Sequence, residues 1–120
     1  LFPTQRLAFM GFSQGAMLAL DSALGVDSPV AGAVLVSGFL IDVERWARRL
    51  TTTHKGLKVL QTHGFNDQLI PFNTAYWLNE LLTKNGAKVQ WIPHSGGHDM
   101  GSSHILTNIS TFIASIIKHR

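Results

Sequence analysis

Short apolar blocks, separated by polar stretches that contain Gly and Pro, run along the whole chain. Four of these blocks predict strands, and the block at 30–37 is a nearly continuous run of small and β-branched residues, which is typical of a central parallel strand buried on both faces. The predicted strands cover residues 7–12, 30–37, 57–62 and 88–92. Because a helical pattern follows each strand, the sequence predicts an α/β fold, with a mostly parallel sheet, helices on both faces and right-handed crossovers.

The first and the last of the predicted helices follow the first and the fourth strand. The first follows Ser13 and ends at Gly25, where the apolar periodicity stops. The last begins at Ser102 or Ser103 and carries an apolar stripe that would pack on the sheet. The stripe consists of Ile105, Ile109, Phe112, Ile113, Ile116 and Ile117.

The two middle helices have candidate caps. Asp42 would cap a helix that ends near Leu50, and Asn73 would cap one that ends near Lys84, with Gly86 as a left-handed stop. Helical spacing gives the first of these an apolar face and a basic face that we expect to point to water. The apolar face has Val43, Trp46 and Leu50, and the basic face has Arg45, Arg48 and Arg49.

The composition narrows the class of protein. The 120 residues are 45% hydrophobic and 14% charged, which fits one domain with one core, and the absence of cysteine excludes disulfides and thiolate metal sites. The net charge of +3 is spread out, with small basic clusters at 45–49 and 118–120. These clusters lack interleaved aromatics, so we expect solvated surface and no nucleic-acid binding. No apolar run reaches the ~20 residues of a membrane span and no signal peptide is visible, so we expect a cytoplasmic location.

One short stretch carries a chemical signature. Residues 11–15 read Gly-Phe-Ser-Gln-Gly, a G-x-S-x-G pattern between a predicted strand and a predicted helix, as in a nucleophile elbow. Ser13 would lie on the sharp turn, and Gly11 and Gly15 would let strand and helix approach closely because they have no Cβ atom. The new helix would point free N–H groups at the site, and the N–H of Gln14 is the natural donor to an oxyanion.

Two further polar residues follow later strands. Asp67 lies in the loop after the third strand and His98 in the loop after the fourth. Active sites of open α/β sheets gather at the carboxyl ends of the strands, so these loops and the Ser13 turn should meet. A serine nucleophile needs a base, and the base needs a carboxylate that fixes its tautomer. The chain order Ser, Asp, His is that of the α/β-hydrolases.

Four motifs follow one another with short spacings. They are GFSQGA at 11–16, SGFL at 37–40, HGFND with Ile-Pro at 63–71, and GGH at 96–98. In this order they resemble the C-terminal half of the carboxylesterase/phospholipase family of α/β-hydrolases, the group of acyl-protein thioesterases and small bacterial carboxylesterases. The resemblance implies that Ser13 is the nucleophile, Asp67 the orienting acid and His98 the general base.

The function that the resemblance implies is hydrolysis of a carboxylic ester through an acyl-enzyme, with no cofactor. Short aryl or alkyl esters, lysophospholipids and acyl thioesters are all compatible substrates, small or lipid-like. Six apolar residues beside the predicted site are candidates for an acyl pocket and are equally well explained as core: Phe12, Phe39, Leu40, Phe65, Ile70 and Met100. The rival interpretation is a non-catalytic subunit or interaction module that keeps the elbow for packing.

Other residues compete for the same roles. Asp42 and Asp99 are alternative orienting acids, although Asp99 adjoins His98 in the chain, where base–acid geometry is difficult. We expect His63 to shape the loop that holds Asp67, through a bond from its ring to nearby backbone.

The remaining histidines have weaker signals. His94 and His104 flank the His98 loop and are expected to be structural or on the surface, and His54 and His119 are expected to be exposed. A metal site is conceivable, but no helical ligand spacing supports it, so we predict no metal. Its ligands would be His94, His98, Asp99 and His104.

The resemblance begins at the elbow strand and corresponds to half of the family's length. The strand at 7–12 would therefore be an unpaired apolar edge, and a second oxyanion donor would come from a loop before the elbow. We expect residues 1–120 to form one partial hydrolase domain that lacks the N-terminal half of the fold. The chain would be a piece of a longer or cleaved hydrolase, or would pair with another chain (a homo-oligomer or a complementing N-terminal half), or would be a truncated product.

Overall fold

A computed structural model describes residues 3–117 of the chain. Strands and helices alternate along it in the predicted order. The strands are β1 (Ala8–Phe12), β2 (Gly32–Val36), β3 (Lys58–Gly64) and β4 (Lys88–His94). The helices are α1 (Gln14–Gly25), α2 (Val43–Thr51), α3 (Phe72–Lys84) and α4 (Ser103–Ile117), and a short 3-10 turn, Thr4–Arg6, precedes β1.

The sheet is parallel throughout, in the spatial order β1-β2-β3-β4. One row of paired residues crosses all four strands near their carboxyl ends: Phe12, Val36, Thr62 and Ile92. The loops after these residues therefore leave the sheet at the same edge, which carries the candidate site. Among residues 3–117, β1 pairs only with β2, and its Met10 side chain is 46% exposed.

Alternate residues of the central strands face two separate cores. Helices α1, α2 and α3 share one core, which includes Ala33, Leu35 and Val59 from the strands. On the other face, Ile105, Ile109 and Phe112 of α4 pack against Val34, Val36 and Leu60. The predicted helices on both faces of the sheet are confirmed.

Several predicted boundaries are wrong by one or two residues, and three of them have a clear cause. β3 and β4 continue to Gly64 and His94, because these two residues pair with each other beyond the end of the apolar pattern. Asn73 does not cap α3 but lies inside it, since the helix already begins at Phe72. The carbonyl of Pro71 accepts hydrogen bonds from the N–H and the hydroxyl of Thr74, which fixes this earlier start of the helix.

The basic face of α2 does not simply point to water, which corrects the prediction. The guanidinium of Arg49 donates to the carbonyl of Leu24 at 2.7 Å and to that of Val26 at 3.0 Å. Arg45 forms an ion pair with Asp21 of α1. Backbone carbonyls at the end of α1 have no partner within the helix, so they attract these cations. The arginines therefore attach α2 to α1.

The prediction that His54 is exposed is also wrong. Only 2% of His54 is accessible, and its Nε2 lies 2.7 Å from the carbonyl oxygen of Val26. The hydrogen bond with this carbonyl compensates for taking the polar ring of His54 out of water. The expectations for His119 and for the basic cluster at 118–120 lie outside the described residues.

None of the helices in residues 3–117 combines the length and the apolar character that a membrane-spanning segment requires. The cytoplasmic location stays a prediction.

Candidate active site

The turn between β1 and α1 has the strained backbone of a nucleophile elbow. Ser13 has φ 59° and ψ −121°, a combination that residues with a Cβ atom adopt rarely. Its N–H donates to the carbonyl of Val36 at 2.7 Å, which anchors the turn to β2. Ser13 precedes α1 at the N-cap position, yet its hydroxyl makes no capping hydrogen bond. The hydroxyl is therefore left available for other chemistry.

The two glycines of the elbow differ in what they contribute. A Cβ atom at Gly11 would lie 2.0 Å from the backbone oxygen of Gly15, so only glycine fits where strand and helix cross. A Cβ atom at Gly15 would meet nothing within 4 Å. The predicted close approach is therefore present at Gly11, whereas the structure gives no steric reason for glycine at position 15.

The start of α1 provides a potential anion site. Gln14 is the first residue of the helix, and the first backbone N–H groups of a helix have no acceptor within it. The dipole of α1 also places partial positive charge at this end. That the Gln14 N–H donates to an oxyanion formed at Ser13 stays a prediction.

The carboxylate of Asp67 is held by several donors in a buried setting. Its Oδ1 accepts from the N–H groups of Leu69 at 2.9 Å and Ile70 at 2.7 Å. Its Oδ2 lies 2.7 Å from Nδ1 of His98, and its side chain is fully buried. Burial alone would raise the pKa of Asp67, but the hydrogen bonds from Ile70, His98 and Leu69 together hold that pKa below its ordinary value of 3.8. Asp67 is therefore an ionised acceptor at neutral pH.

The imidazole of His98 has its tautomer fixed by this contact. An ionised carboxylate only accepts hydrogen bonds, so Nδ1 of His98 carries the proton and Nε2 of the neutral ring is free to accept one. The ring of Phe12, the residue before Ser13, lies 4.8 Å from the His98 ring between centroids. This contact brings the His98 loop next to the elbow, and it links the loops of β1, β3 and β4.

The loops that carry Asp67 and His98 are bonded to each other through their backbones. Phe65 N–H donates to the carbonyl of His94 at 2.7 Å, and Asn66 N–H donates to that of Gly96 at 3.0 Å. A Cβ atom at Gly64 would lie 2.2 Å from the Gly96 oxygen, so the close approach requires glycine there. The relative position of the two loops is thus fixed before any ligand arrives.

The competing acids have other partners. Oδ1 of Asp99 accepts from the N–H of Gly101 at 2.8 Å. The Asp42 side chain accepts from the N–H of Arg45 at 3.2 Å and caps α2, as its position in the sequence predicted. Neither carboxylate is bonded to His98.

The other histidines near the site are also bonded locally. Nδ1 of His94 accepts from the N–H of Gly96 at 3.0 Å, and Nε2 of His104 lies 3.3 Å from the side-chain amide of Asn108 on the same helix. His98 is occupied by Asp67 at Nδ1. Among residues 3–117, no group of three or more potential ligands is placed to hold a metal ion.

His63 lies directly behind the carboxylate. Its Nε2 is 2.7 Å from the carbonyl oxygen of Ile70 and 3.3 Å from Oδ2 of Asp67, and its side chain is fully buried. The ring edge also meets Phe72, with centroids 5.9 Å apart. The expected bond from the His63 ring to nearby backbone is present, and the proximity to Asp67 goes beyond that expectation.

The family assignment rests on a sequence match that covers almost the whole chain. The sequence model of the phospholipase/carboxylesterase family matches residues 1–117. The chain belongs to the phospholipase/carboxylesterase family. The motifs at 11–16, 37–40, 63–71 and 96–98 are therefore those of a family member, and the resemblance drawn from them is confirmed.

Curated relatives in this family are about twice as long as the chain. Acyl-protein thioesterase 1 of Mycosarcoma maydis is 33% identical over 102 residues, which cover 78% of this chain and 42% of the relative. Acyl-protein thioesterase 1 of Debaryomyces hansenii is 28% identical over 117 residues, which cover 97% of this chain and 50% of the relative. The chain thus spans about half the length of the curated relatives it matches.

Solved structures show the same α/β-hydrolase fold. SOBER1 of Arabidopsis thaliana superimposes with a TM-score of 0.85 at 21% identity, covering 97% of this chain and 55% of that one. Esterase PE8 superimposes with a TM-score of 0.82 at 25% identity, covering 96% of this chain and 52% of the esterase. At 21% sequence identity, the similarity to SOBER1 supports the fold and nothing beyond it.

The six predicted pocket residues do not gather in one place. Phe12 contacts the His98 ring, and Ile70 contributes its backbone to the bonds of Asp67 and His63. Phe39 and Leu40 pack against the core of α1–α3, and Met100 packs against the core of α4. Phe65 is 55% exposed and stacks on Phe72, with centroids 4.5 Å apart. An acyl pocket formed by all six stays a prediction, and Phe12 is the member whose ring contacts the candidate base.

Two residues near the site had no assigned role in the sequence analysis. Ser37 has φ 58° at the end of β2, and its N–H donates to the carbonyl of Thr62 at 2.9 Å. A serine gives no sequence signal for a left-handed backbone, so this turn was not predicted. Phe72 contacts His63, Phe65 and Tyr76. Because the predicted helix began after Asn73, Phe72 lay outside it, and no pattern in the sequence indicated these contacts.

Proposed function

We propose that the chain carries the catalytic half of a serine hydrolase of carboxylic esters. The observation that carries the proposal is the 2.7 Å contact between Asp67 and His98, next to a strained serine turn. This contact leaves Nε2 of His98 as the free base, and the elbow presents a serine hydroxyl without a capping bond. The membership in the phospholipase/carboxylesterase family supports the same reaction class.

The proposed reaction passes through an acyl-enzyme. Nε2 of His98 takes the proton of Ser13 as its oxygen attacks the ester carbonyl, and the backbone N–H of Gln14 stabilises the oxyanion. His98 then protonates the leaving group, which departs as an alcohol or a thiol. In the second half, His98 activates water, which releases the acid and restores Ser13. Asp67 stays ionised and stabilises the imidazolium, so protein groups and water suffice for the chemistry.

A complete oxyanion site needs a second donor. α/β-Hydrolases take that donor from a loop that precedes the elbow, and removal of one donor from such a site lowers kcat by about 100- to 1000-fold. Because the chain spans about half the length of its curated relatives, we assign full activity to the native protein that contains this segment.

The substrate class that we propose is a carboxylic ester or thioester. Two matched relatives are named acyl-protein thioesterases, which favours a thioester among the substrates. Short aryl esters and lysophospholipids use the same chemistry at the reacting carbonyl. A competition between an acyl thioester and the corresponding oxygen ester, measured as kcat/KM, would rank these substrates.

A second candidate function rests on the free side of β1. This strand has one partner among residues 3–117, and Met10 on it is half exposed. An apolar strand with an open side tends to pair with another strand. A second copy of the chain or a complementing N-terminal half would complete the sheet. The intact mass of the purified protein, and of any chain that accompanies it, distinguishes these arrangements from a lone chain.

The replacement Ser13→Ala tests the proposed reaction. It removes the nucleophile but adds no atoms, so the fold should be retained. We expect kcat for hydrolysis of an activated aryl ester by the native protein to fall by about 10⁶-fold. The control is Ser115→Ala, on α4, whose hydroxyl donates to the carbonyl of Phe112. Undiminished hydrolysis in Ser13→Ala would remove Ser13 from the mechanism.

A further inference from the structure

His63 is a buried polar residue that the proposed reaction does not use. It lies in β3, and Nε2 of its fully buried side chain is 2.7 Å from the carbonyl oxygen of Ile70. A carbonyl oxygen only accepts hydrogen bonds, so the ring proton lies on Nε2. Nδ1 is buried and has no hydrogen-bond partner among residues 3–117. Within residues 3–117, the Nε2–H group is therefore the one hydrogen-bond donor of this ring that has a partner.

Ile70, the residue that receives this bond, also holds the carboxylate. Its N–H donates to Oδ1 of Asp67 at 2.7 Å, while its carbonyl accepts from His63. The same Nε2 lies 3.3 Å from Oδ2 of Asp67, the oxygen that is bonded to His98. The positive end of the His63 N–H dipole is thus close to both oxygens that this loop must keep in place.

We propose that His63 is a positioning residue of the candidate triad, which acts through Ile70 and Asp67 and does not touch the substrate. The effect of His63 on catalysis rests on the proposed function, whereas its effect on the position of Asp67 does not. Without the His63 N–H, the partly buried Ile70 carbonyl would lose this donor, and the loop would move to find another. Asp67 would then turn away from Nδ1 of His98, and the competent arrangement would become a minor population.

The chain contains a matched control for this proposal. His54 is also buried, its Nε2 is also 2.7 Å from a backbone carbonyl, that of Val26, and its Nδ1 also has no partner in the described residues. His54 precedes β3, whereas His63 lies near the carboxyl end of the same strand. The two histidines therefore share local chemistry at opposite ends of β3, and only His63 adjoins the candidate site.

The experiment compares three replacements in the native protein. His63→Gln places an amide N–H near the position of Nε2, whereas His63→Asn is too short to reach Ile70. His54→Asn makes the corresponding loss at the other end of β3. Two readouts are followed at neutral pH: the rate of labelling by a fluorophosphonate probe, and the downfield proton resonance of the His98 Nδ1–H that is bonded to Asp67.

We expect His63→Asn to lose the downfield resonance and to be labelled about ten- to a hundredfold more slowly, the loss that follows when a polar group is left without its hydrogen-bond partner. His63→Gln should keep the resonance and stay within about threefold of the parent labelling rate. His54→Asn should lower the midpoint of urea unfolding but keep both the resonance and the rate. A purely structural role for His63 predicts instead that the two Asn variants behave alike.

The proposal is overturned if folded His63→Asn keeps both the resonance and the rate, or if His54→Asn loses them to the same extent. If His63→Asn does not fold, His63→Leu, which keeps the apolar packing without a donor, takes its place with the same expectations. Failure of the proposed function has a separate signature, since Ser13→Ala would then be labelled as fast as the parent. In that case the resonance alone still decides whether His63 positions Asp67.

Discussion

Replacing Asp67 by Asn removes the charge of the carboxylate and keeps its size, and the surrounding donors predict how the new amide settles. Oδ1 accepts backbone N–H groups from Leu69 and Ile70. Turning the NH2 group toward these donors would leave them unpaired, at about 1–3 kcal/mol for each buried group. We therefore expect the amide oxygen to keep these two bonds and the NH2 group to face His98.

That orientation places a donor opposite Nδ1 of His98, where Oδ2 of Asp67 now lies at 2.7 Å. The ring would then accept at Nδ1 and carry its proton on Nε2, so Nε2 would be unable to take the proton of Ser13. The corresponding change in a serine protease triad lowers kcat about 10⁴-fold through the same wrong tautomer. We expect a loss of the same order here, about 5 kcal/mol of transition-state stabilisation.

The assay is turnover of an activated aryl ester at neutral pH, with labelling by a fluorophosphonate probe as a second readout. The matched control is Asp99→Asn, because Oδ1 of Asp99 accepts from the N–H of Gly101, and an amide oxygen accepts the same bond. We expect this control to stay close to the parent rate. The reasoning is refuted if Asp67→Asn stays within tenfold of the parent, or if Asp99→Asn loses as much activity as Asp67→Asn.

Two further predictions concern stability. Gly11→Ala would place a Cβ atom 2.0 Å from a backbone oxygen, so we expect it to lower the free energy of urea unfolding by about 1–3 kcal/mol. Gly15→Ala meets open space in a helix and should raise the same free energy by about 0.5–1 kcal/mol. Equal effects of the two replacements would contradict this account of the elbow. The lowered pKa of Asp67 means that its ionised form contributes stability above pH 3.8, and that this contribution is lost as the pH falls through the lowered value. The difference in unfolding free energy between the parent and Asp67→Asn should therefore be largest at neutral pH and shrink below pH 3.8, and a difference that grows on acidification would refute it.

The fold was predictable because each strand is a compact apolar run. The run at 30–37, for example, faces two cores at once, so its side chains alternate between Leu35 on one face and Val36 on the other. The ends of β3 and β4 were not predictable in the same way. Gly64 and His94 have no strand preference of their own and are extended only because they pair with each other.

The parts of the site that lie within one loop were easier to predict than those that join two elements. The elbow at Ser13 is a local strand–turn–helix signal, and its backbone has the strain that such a turn requires. The burial of His54 and the bonds of Arg49 depend on carbonyls of α1 that lie more than twenty residues away in the sequence. Hydrophobic periodicity contains no information about these polar partners, which explains why both residues were predicted to be exposed.

The substrate pocket was the least predictable part. Phe39 and Met100 both follow strands at the active edge, yet they pack on opposite faces of the sheet. Both residues lie in loops beyond the ends of the strands, and the sequence does not indicate which core a loop residue joins. Apolar residues in loops pack wherever the nearest core leaves room, so their proximity to a catalytic motif does not define a pocket.

The most direct test of the central claim is covalent labelling of the native protein by a fluorophosphonate probe, with the modified residue identified by peptide mass spectrometry. The proposal predicts that the label lies on Ser13 and that Ser13→Ala is not labelled. Labelling on Ser13 would mean that His98 and Asp67 activate this hydroxyl as the geometry suggests. A folded sample that stays unlabelled, or a label that persists in Ser13→Ala, would contradict the assignment of Ser13 as the activated nucleophile of this chain.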